Sequence, residues 1–111
     1  MKKKIEKLLN QNLDSVETSK LGKARRFDES GDRYIEFCKG TVPDEISFSS
    51  LRVVLDCANG ACYKVTPAVF EELGAEVICI GTDPDGFNIN KNCGSTFPEN
   101  IKKEVLSRRA D

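Results

Sequence analysis

The stretch that decides the fold runs from Leu51 to Gly81, LRVVLDCANGACYKVTPAVFEELGAEVICIG. Residues 51–55 form a short apolar run rich in β-branched side chains, which is typical of a strand covered on both faces, and residues 76–80 have the same character. Between them, apolar residues recur three and four positions apart on one helical face (Ala61, Val65, Val69, Phe70 and Leu73). Two strands joined through a helix are expected to lie parallel with a right-handed crossover, so this stretch predicts a βαβ unit of an α/β fold.

Single residues mark the turn and the two ends of the helix within this unit. Asn59-Gly60 after Asp56 is a strong turn signal, because both residues tolerate a positive φ. Pro67 predicts that the helix begins near Thr66 or bends there. Gly74 is expected to cap the helix at its C-terminus.

Two helices are predicted before the unit. Residues 2–13 form an amphipathic helix with Ile5, Leu8 and Leu9 on one face, too short to be stable alone, so we expect it to dock on another surface. Residues 21–27 are expected to be extended. Residues 28–39 form the second helix, which Asp28 or Ser30 is expected to cap and Gly40 to end.

A long polar loop, residues 82–97, follows the unit with the sequence TDPDGFNINKNCGSTF. Loops of this length in compact domains are usually functional or disordered. Its side-chain oxygens resemble a loose calcium or magnesium ligand set, but EF-hand spacing and a closing glutamate are missing, so we predict no metal here. The residues concerned are Asp83, Asp85, Asn88, Asn90 and Asn92. Pro98 and Glu99 then begin a last helix.

Length and charge limit the classes of protein. The 111 residues make about one small domain, and 17 basic against 18 acidic residues predict no general affinity for nucleic acid or an anionic membrane. No apolar run approaches the roughly 20 residues needed to span a bilayer. The N-terminus lacks the apolar core and cleavage site of a signal peptide, so we expect a cytoplasmic protein.

The five cysteines are odd in number, form no CxxC pair and stand in a chain without histidine. We therefore expect them to be reduced and structural, with neither a disulfide framework nor a zinc site. The missing histidine also removes the commonest general acid and base near neutral pH.

The DCANG turn admits two interpretations. Backbone N–H groups around residues 58–61 at a helix start favour an anion such as phosphate, although the spacing fits neither GxGxxG nor GxxxxGK[ST]. The simpler interpretation is that Asn59-Gly60 turns the chain and Asp56 caps the turn. The residues alone favour the simpler one.

Three stretches in one order and spacing carry a family resemblance: GKARRFDESGDRYIEFCK, VVLDCANGACYKVTPAVFEELGAEVICIG and PDGFNINKNCGST. They resemble the α-D-phosphohexomutase superfamily, in particular its bacterial branch that isomerises glucosamine phosphates. The resemblance implies an incomplete three-layer α/β/α phosphohexomutase-type domain. Residues 1–27 then correspond to the C-terminal tail of a preceding domain, and residues 28–111 to most of the second domain, without the strand and metal loop expected to follow.

The resemblance also implies a function. Such enzymes interconvert glucosamine 6-phosphate and glucosamine 1-phosphate, on the route to UDP-N-acetylglucosamine and the cell wall, through a phosphoserine, a bisphosphate intermediate and Mg²⁺. The partners implied are the remaining domains of the parent chain and the phosphosugar. The catalytic serine and the metal loop of the family fall outside this segment, so no residue is assigned a catalytic, cofactor or metal role, and the isolated chain is expected to be inactive. Asn59 and Gly60 are candidates for a turn facing the cleft, since open α/β sheets place ligands at the carboxyl ends of their strands.

Two alternatives stay open. The parent could be a phosphomannomutase or phosphoglucomutase, because the sugar-selecting residues of the family lie outside the segment. The chain could also be a non-catalytic α/β interaction module with a complete sheet. A segment with an open sheet edge and exposed apolar helix faces is instead expected to self-associate.

Overall fold

Strands and helices alternate along the chain in the order expected of an α/β protein. The computed structural model describes residues 2–12 and 15–111. The helices are α1 (Lys2–Leu9), α2 (Ser30–Lys39), α3 (Val65–Glu72) and α4 (Glu99–Arg108), and the strands are β1 (Arg52–Asp56) and β2 (Glu76–Ile80). Short 3-10 turns lie at Thr18–Lys20 and Ala61–Tyr63.

The two strands pair in parallel, with Arg52 opposite Glu76 and Asp56 opposite Ile80. The βαβ prediction is therefore confirmed, with β1 shifted by one residue from the expected run 51–55. The described residues form a two-stranded sheet, and the three-layer arrangement stays a prediction. The helix α3 packs on β2 and on α2, and α4 packs on β1.

The predicted limits of the central helix are confirmed. The helix α3 begins at Val65, so Pro67 falls in its first turn, where a missing N–H costs nothing. Gly74 follows with φ +98°, and the next amide, Ala75 N–H, donates to Phe70 O at 3.0 Å. This is the glycine-terminated ending that satisfies the last carbonyls of a helix and turns the chain into β2.

The predicted start of α2 is wrong by two residues. The helix begins at Ser30, and its N-cap, Glu29, makes no side-chain capping bond. The carboxylate of Asp28 instead pairs with Arg26 at 2.7 Å, so neither Asp28 nor Ser30 caps the helix. Gly40 ends it as predicted.

One lysine ties α2 to α3. Lys39 Nζ binds Glu36 at 2.7 Å and Glu72 at 2.6 Å. These hydrogen bonds raise the pKa of Lys39. Both carboxylates are partly exposed, so these ion pairs add little to the free energy of unfolding. The bond from Lys39 to Glu72 serves mainly to set the position of α2 relative to α3.

The N-terminal helix is shorter than predicted and its apolar face is uncovered. It ends at Leu9, and Leu13 lies outside the described residues. Ile5, Leu8 and Leu9 are 55%, 52% and 78% exposed. The docking predicted for this helix is thus absent from the part of the chain that the structure describes.

The chain leaves α4 beside the start of β1. Asp111 N–H donates to Arg52 O at 3.0 Å, and Arg52 N–H donates to the Asp111 carboxylate at 2.9 Å. The Arg52 guanidinium also donates to Arg108 O at 2.9 Å, so it caps the end of α4. The C-terminal residue therefore lies along the edge of β1 that faces away from β2.

Little of the described chain is fully buried. Cys57, Ala75 and Cys93 are its buried apolar residues, whereas Phe37 and Phe87 are 67% and 95% exposed. The radius of gyration is 20.0 Å, against about 13 Å for a compact domain of this size. Within residues 2–12 and 15–111, no helix has the length and apolarity needed to cross a membrane.

We expect this chain to self-associate through its uncovered apolar faces. Light scattering coupled to size exclusion should give masses above 12.3 kDa that grow with concentration. Ile5→Gln with Leu8→Gln should reduce the association, and Glu6→Gln, on the same helix, should not. A constant monomer mass at every concentration would contradict this prediction.

Gly81 is expected to be intolerant of a side chain. It has φ +63°, and an added Cβ would lie 2.8 Å from Ala58 N. Gly86→Ala is the matched control, because Gly86 also has a positive φ (+89°) but no atom within 4 Å of an added Cβ. Urea denaturation should show Gly81→Ala to be less stable than Gly86→Ala by about 1–3 kcal/mol, the usual cost of overpacking; equal losses would rule out the close approach.

Candidate functional site

A strained turn closes the carboxyl end of β1. Ala58 and Asn59 both adopt left-handed backbone conformations, with φ +53° and +52°. Asparagine tolerates this conformation better than alanine, which pays a steric cost of about 1–2 kcal/mol. Asn59 N–H donates to Gly81 O at 2.6 Å and Gly60 N–H to Cys57 O at 2.7 Å, so the turn is held against the end of β2.

The carboxylate of Asp56 joins this turn to the end of the long loop. Its Oδ1 accepts from Ala58 N–H at 2.9 Å. Its Oδ2 accepts from Gly94 N–H at 2.6 Å, 38 residues further along the chain. Because hydrogen bonds to a charged group are the stronger kind, one side chain fixes two segments at once.

The amide of Asn59 holds the first half of the same loop. Its Oδ1 accepts from Asp83 N–H at 3.1 Å. Its Nδ2 donates to Asn88 O at 3.2 Å and approaches Cys93 Sγ at 3.7 Å. We refer to Asp56 and Asn59 together as the loop clamp, since their side chains bind both ends of the loop to the strand ends.

The loop also uses its own polar side chains. Asp85 Oδ1 accepts from Phe87 N–H at 2.7 Å and Asn88 N–H at 2.8 Å. Asn88 Oδ1 accepts from Asp85 N–H at 3.0 Å. These oxygens therefore build turns, and within the described ranges no group of three or more His, Cys, Asp and Glu side chains is placed to hold a metal ion.

Three of the four amides that the anion-site interpretation invoked have internal acceptors, which disfavours that interpretation. The N–H groups of Ala58, Asn59 and Gly60 donate to Asp56 Oδ1, Gly81 O and Cys57 O respectively. A phosphate would have to compete with each of these internal acceptors. The simpler interpretation, a turn capped by Asp56, agrees with the observed hydrogen bonds.

A polar groove of about 590 Å³ lies between the loop and α4. Asn59 is on its wall, and its charged lining is balanced, with Lys91 and Lys103 against Asp83 and Glu104. The Asn100 amide crosses to Asn92 O at 2.6 Å and ties α4 to the loop. Gly60 is placed differently: an added Cβ there would lie 3.4 Å from Ile89 Cδ1. Whether Asn59 and Gly60 face the cleft of a larger protein stays a prediction.

Sequence reasoning missed the long-range bonds of the loop. It treated residues 82–97 as either functional or disordered, and it gave Asp56 a local role alone. A partial signal was present in the asparagines: Asn90 and Asn92 have φ +57° and +55°, a conformation in which asparagine is enriched. Their spacing alone did not reveal that Asn90 N–H donates to Ala58 O at 2.9 Å.

Similar curated proteins share one name. The chain is 56% identical over its whole length to phosphoglucosamine mutase of Bradyrhizobium sp. (strain ORS 278) and to that of Nitrobacter winogradskyi. Over 96% of its length it is 52% identical to phosphoglucosamine mutase of Thioalkalivibrio sulfidiphilus. The chain is homologous to a segment of phosphoglucosamine mutase. The predicted resemblance is therefore confirmed.

The match is to a part of these enzymes. The chain spans about a quarter of the length of the curated phosphoglucosamine mutases that it matches: 25% of the first two and 24% of the third. A search of protein-family models found no match. The site described above is accordingly a site within one segment, and the activity of a whole phosphoglucosamine mutase is a matter for proposal.

The loop clamp should respond to loss of the Asp56 charge. Asp56→Asn leaves one oxygen and one NH₂ group to face two N–H donors. We therefore expect it to lower the free energy of unfolding by about 1–3 kcal/mol. It should also speed hydrogen exchange of the Gly94 amide. Asp85→Asn is the matched control, since both of its bonds go to a single oxygen that the amide retains. Equal effects of the two substitutions on Gly94 exchange would contradict the clamp.

Proposed function

We propose that this chain is framework for a phosphoglucosamine mutase that interconverts glucosamine 6-phosphate and glucosamine 1-phosphate. The observation that carries the proposal is the 56% identity over the whole chain to enzymes of that name. In this proposal residues 1–27 are the tail of a preceding domain and residues 28–111 are most of the next one. In support of that division, the apolar side chains of α1 are exposed, whereas the helices of the later residues pack on the strands.

The reacting groups are proposed to lie elsewhere in the parent enzyme. By similarity to the superfamily, a phosphoserine outside this segment donates its phosphoryl group to form a bisphosphate and then recovers the other one. Mg²⁺ would neutralise the transferring charge in the parent. The described residues do not fit a magnesium site, because no group of three or more His, Cys, Asp and Glu side chains converges among them, and Asp85 Oδ1 and Asn88 Oδ1 are engaged in loop turns. We assign no step of the reaction, and no metal contact, to this chain.

The proposed contribution of the segment is to shape one wall of the cleft. Open α/β sheets bind ligands beyond the carboxyl ends of their strands, and the loop clamp lies at that end of both β1 and β2. Asp56 and Asn59 fix where the loop runs, and Asn59 also lines the polar groove. A change at Asn59 should therefore alter the position of the wall while leaving the reacting groups intact.

The outer edge of β1, which pairs with no strand among the described residues, supports the proposal that further chain covers this sheet in the parent. Leu51 O and Cys57 N–H bond to β2, whereas Arg52 N–H and O bond to Asp111 on the other side. Because neighbouring residues of a strand present their polar groups to alternate edges, Val54 N–H and O also point away from β2. A strand after Asp111 would pair with these groups and run parallel to β1.

The function is tested by assays of the isolated chain and of the complete gene product. With glucosamine 6-phosphate, Mg²⁺ and a bisphosphate primer, we expect no turnover from the isolated chain. The complete product should act on glucosamine phosphate in preference to mannose or glucose phosphate. Turnover by the isolated chain would contradict the framework role, and a preference for another sugar would place the parent among phosphomannomutases or phosphoglucomutases.

Asn59→Ala in the full-length parent should lower kcat by about tenfold to a hundredfold, the effect expected of a small misplacement in an active site. Asn12→Ala, the same change at an exposed position of this chain, is the control and should leave kcat unchanged. Thermal unfolding of both variants separates a positioning effect from loss of fold. Wild-type turnover by a folded Asn59→Ala enzyme would exclude a role for the turn in the cleft.

A further inference from the structure

Two cysteines are brought together by the DCANG turn. Cys57 follows β1 and is 2% exposed, whereas Cys62, in the following 3-10 turn, is exposed. The bond from Gly60 N–H to Cys57 O at 2.7 Å folds the chain back, and Cys62 Sγ then lies 3.9 Å from Cys57 O. The fold thus pairs a protected thiol with an accessible one across a turn that carries part of the loop clamp.

We propose that Cys57 and Cys62 form a peroxide-sensitive dithiol that closes to a disulfide across the DCANG turn. This device is independent of the mutase function, because it needs neither substrate nor the remaining domains of a parent enzyme. Its oxidant is hydrogen peroxide or a related hydroperoxide.

The reaction proceeds in two balanced steps. The Cys62 thiolate attacks one peroxide oxygen, forming an S–O bond and breaking the O–O bond, and the hydroxide released takes a proton to become water. The Cys57 sulfur then attacks the Cys62 sulfenic acid, forming the S–S bond and expelling the hydroxyl group, which leaves as water with the Cys57 proton. Two thiols are oxidised by two electrons in total, and one peroxide is reduced to two waters.

The environments of the two thiols agree with this order of events. Burial raises the pKa of Cys57 to about 11, and the charges of Cys62, Cys79 and Asp56 and a hydrogen bond with the Cys62 thiol add to the rise. Cys57 is therefore a protonated thiol near neutral pH and is sheltered from peroxide. The raised pKa slows its attack on the Cys62 sulfenic acid, so closure depends on the proximity of the two residues across the turn. Cys62 is the member of the pair that solvent reaches.

Cys38 is the competitor that the test must exclude. It lines, together with Cys62, an apolar groove of about 490 Å³ between α2 and α3. A disulfide from Cys62 to Cys38 would join two helical regions and leave the turn free. The bond from Cys62 Sγ towards Cys57 O favours closure across the turn instead.

The sequence allows a direct readout of the pairing. Trypsin cleaves after Arg52 and Lys64, so one peptide, residues 53–64, contains both Cys57 and Cys62, while the other cysteines fall on different peptides. After treatment of the folded 111-residue chain with hydrogen peroxide and alkylation, most of this peptide should be lighter by two hydrogen atoms and carry no alkyl group. Cys38→Ser should leave this product unchanged, and Cys62→Ser should abolish it.

The rate at which the disulfide closes should also depend on the folded structure. Closure should be faster in buffer than in concentrated urea, because the native turn holds the Cys62 sulfur beside Cys57. Linkage of Cys62 to Cys38, alkylation of both cysteines in the peptide after oxidation, or equal closure rates in buffer and urea would each overturn the proposal. Since Cys62 is exposed, Cys62→Ser tests it in a chain that keeps its fold.

Discussion

The ordered end of this structure depends on the two hydrogen bonds that the carboxylate of Asp56 accepts. This carboxylate accepts one N–H from the turn that follows β1 and one from Gly94, at the end of the long loop. Hydrogen bonds to a charged group typically contribute about 1.5–3 kcal/mol each, which is enough to offset the left-handed backbone of Ala58 and Asn59. Gly81 completes the arrangement, because the turn passes so close to it that a side chain would collide with Ala58 N.

The rest of the chain is less well packed than this end. The buried apolar residues of the described chain are few, and two of them, Cys57 and Cys93, lie next to the loop clamp. The apolar face of α1 is exposed, as are Phe37 and Phe87, and the outer edge of β1 has no strand partner among the described residues, although Asp111 bonds to Arg52 there. A well-fixed strand end on an otherwise open sheet is the expected form of a segment that supplies framework to a larger α/β enzyme.

The sequence predicted the features that depend on local patterns. Apolar periodicity located both strands and α3, and Gly74 marked the end of that helix because a positive φ was needed there. The start of α2 was mispredicted because Asp28 pairs with Arg26 instead of capping the helix. The docking of α1 was expected from its amphipathic pattern, but a pattern shows that a face is apolar and does not show what covers it.

The site was harder to predict, because its bonds join residues far apart in the chain. Nothing in the local sequence shows that Asp56 reaches Gly94 or that Asn59 reaches Asp83. The turn signal at Asn59-Gly60 was correct, and the anion-site alternative is disfavoured because three of its four N–H groups have internal acceptors. The identity of the parent enzyme came from three sequence stretches and from the relatives, and the reacting groups could not be read from either.

Hydrogen exchange along β1, measured by NMR at a concentration where the chain is monomeric, tests the framework role most directly. Successive residues of β1 present their N–H groups to opposite edges of the strand. Leu55 N–H therefore has a partner on β2, and Val54 N–H points to the outer edge. We predict strong protection of Leu55 and exchange of Val54 close to the rate of an unstructured peptide. Strong protection of both amides would show that the edge is already covered and that the sheet is self-sufficient, which would contradict the account.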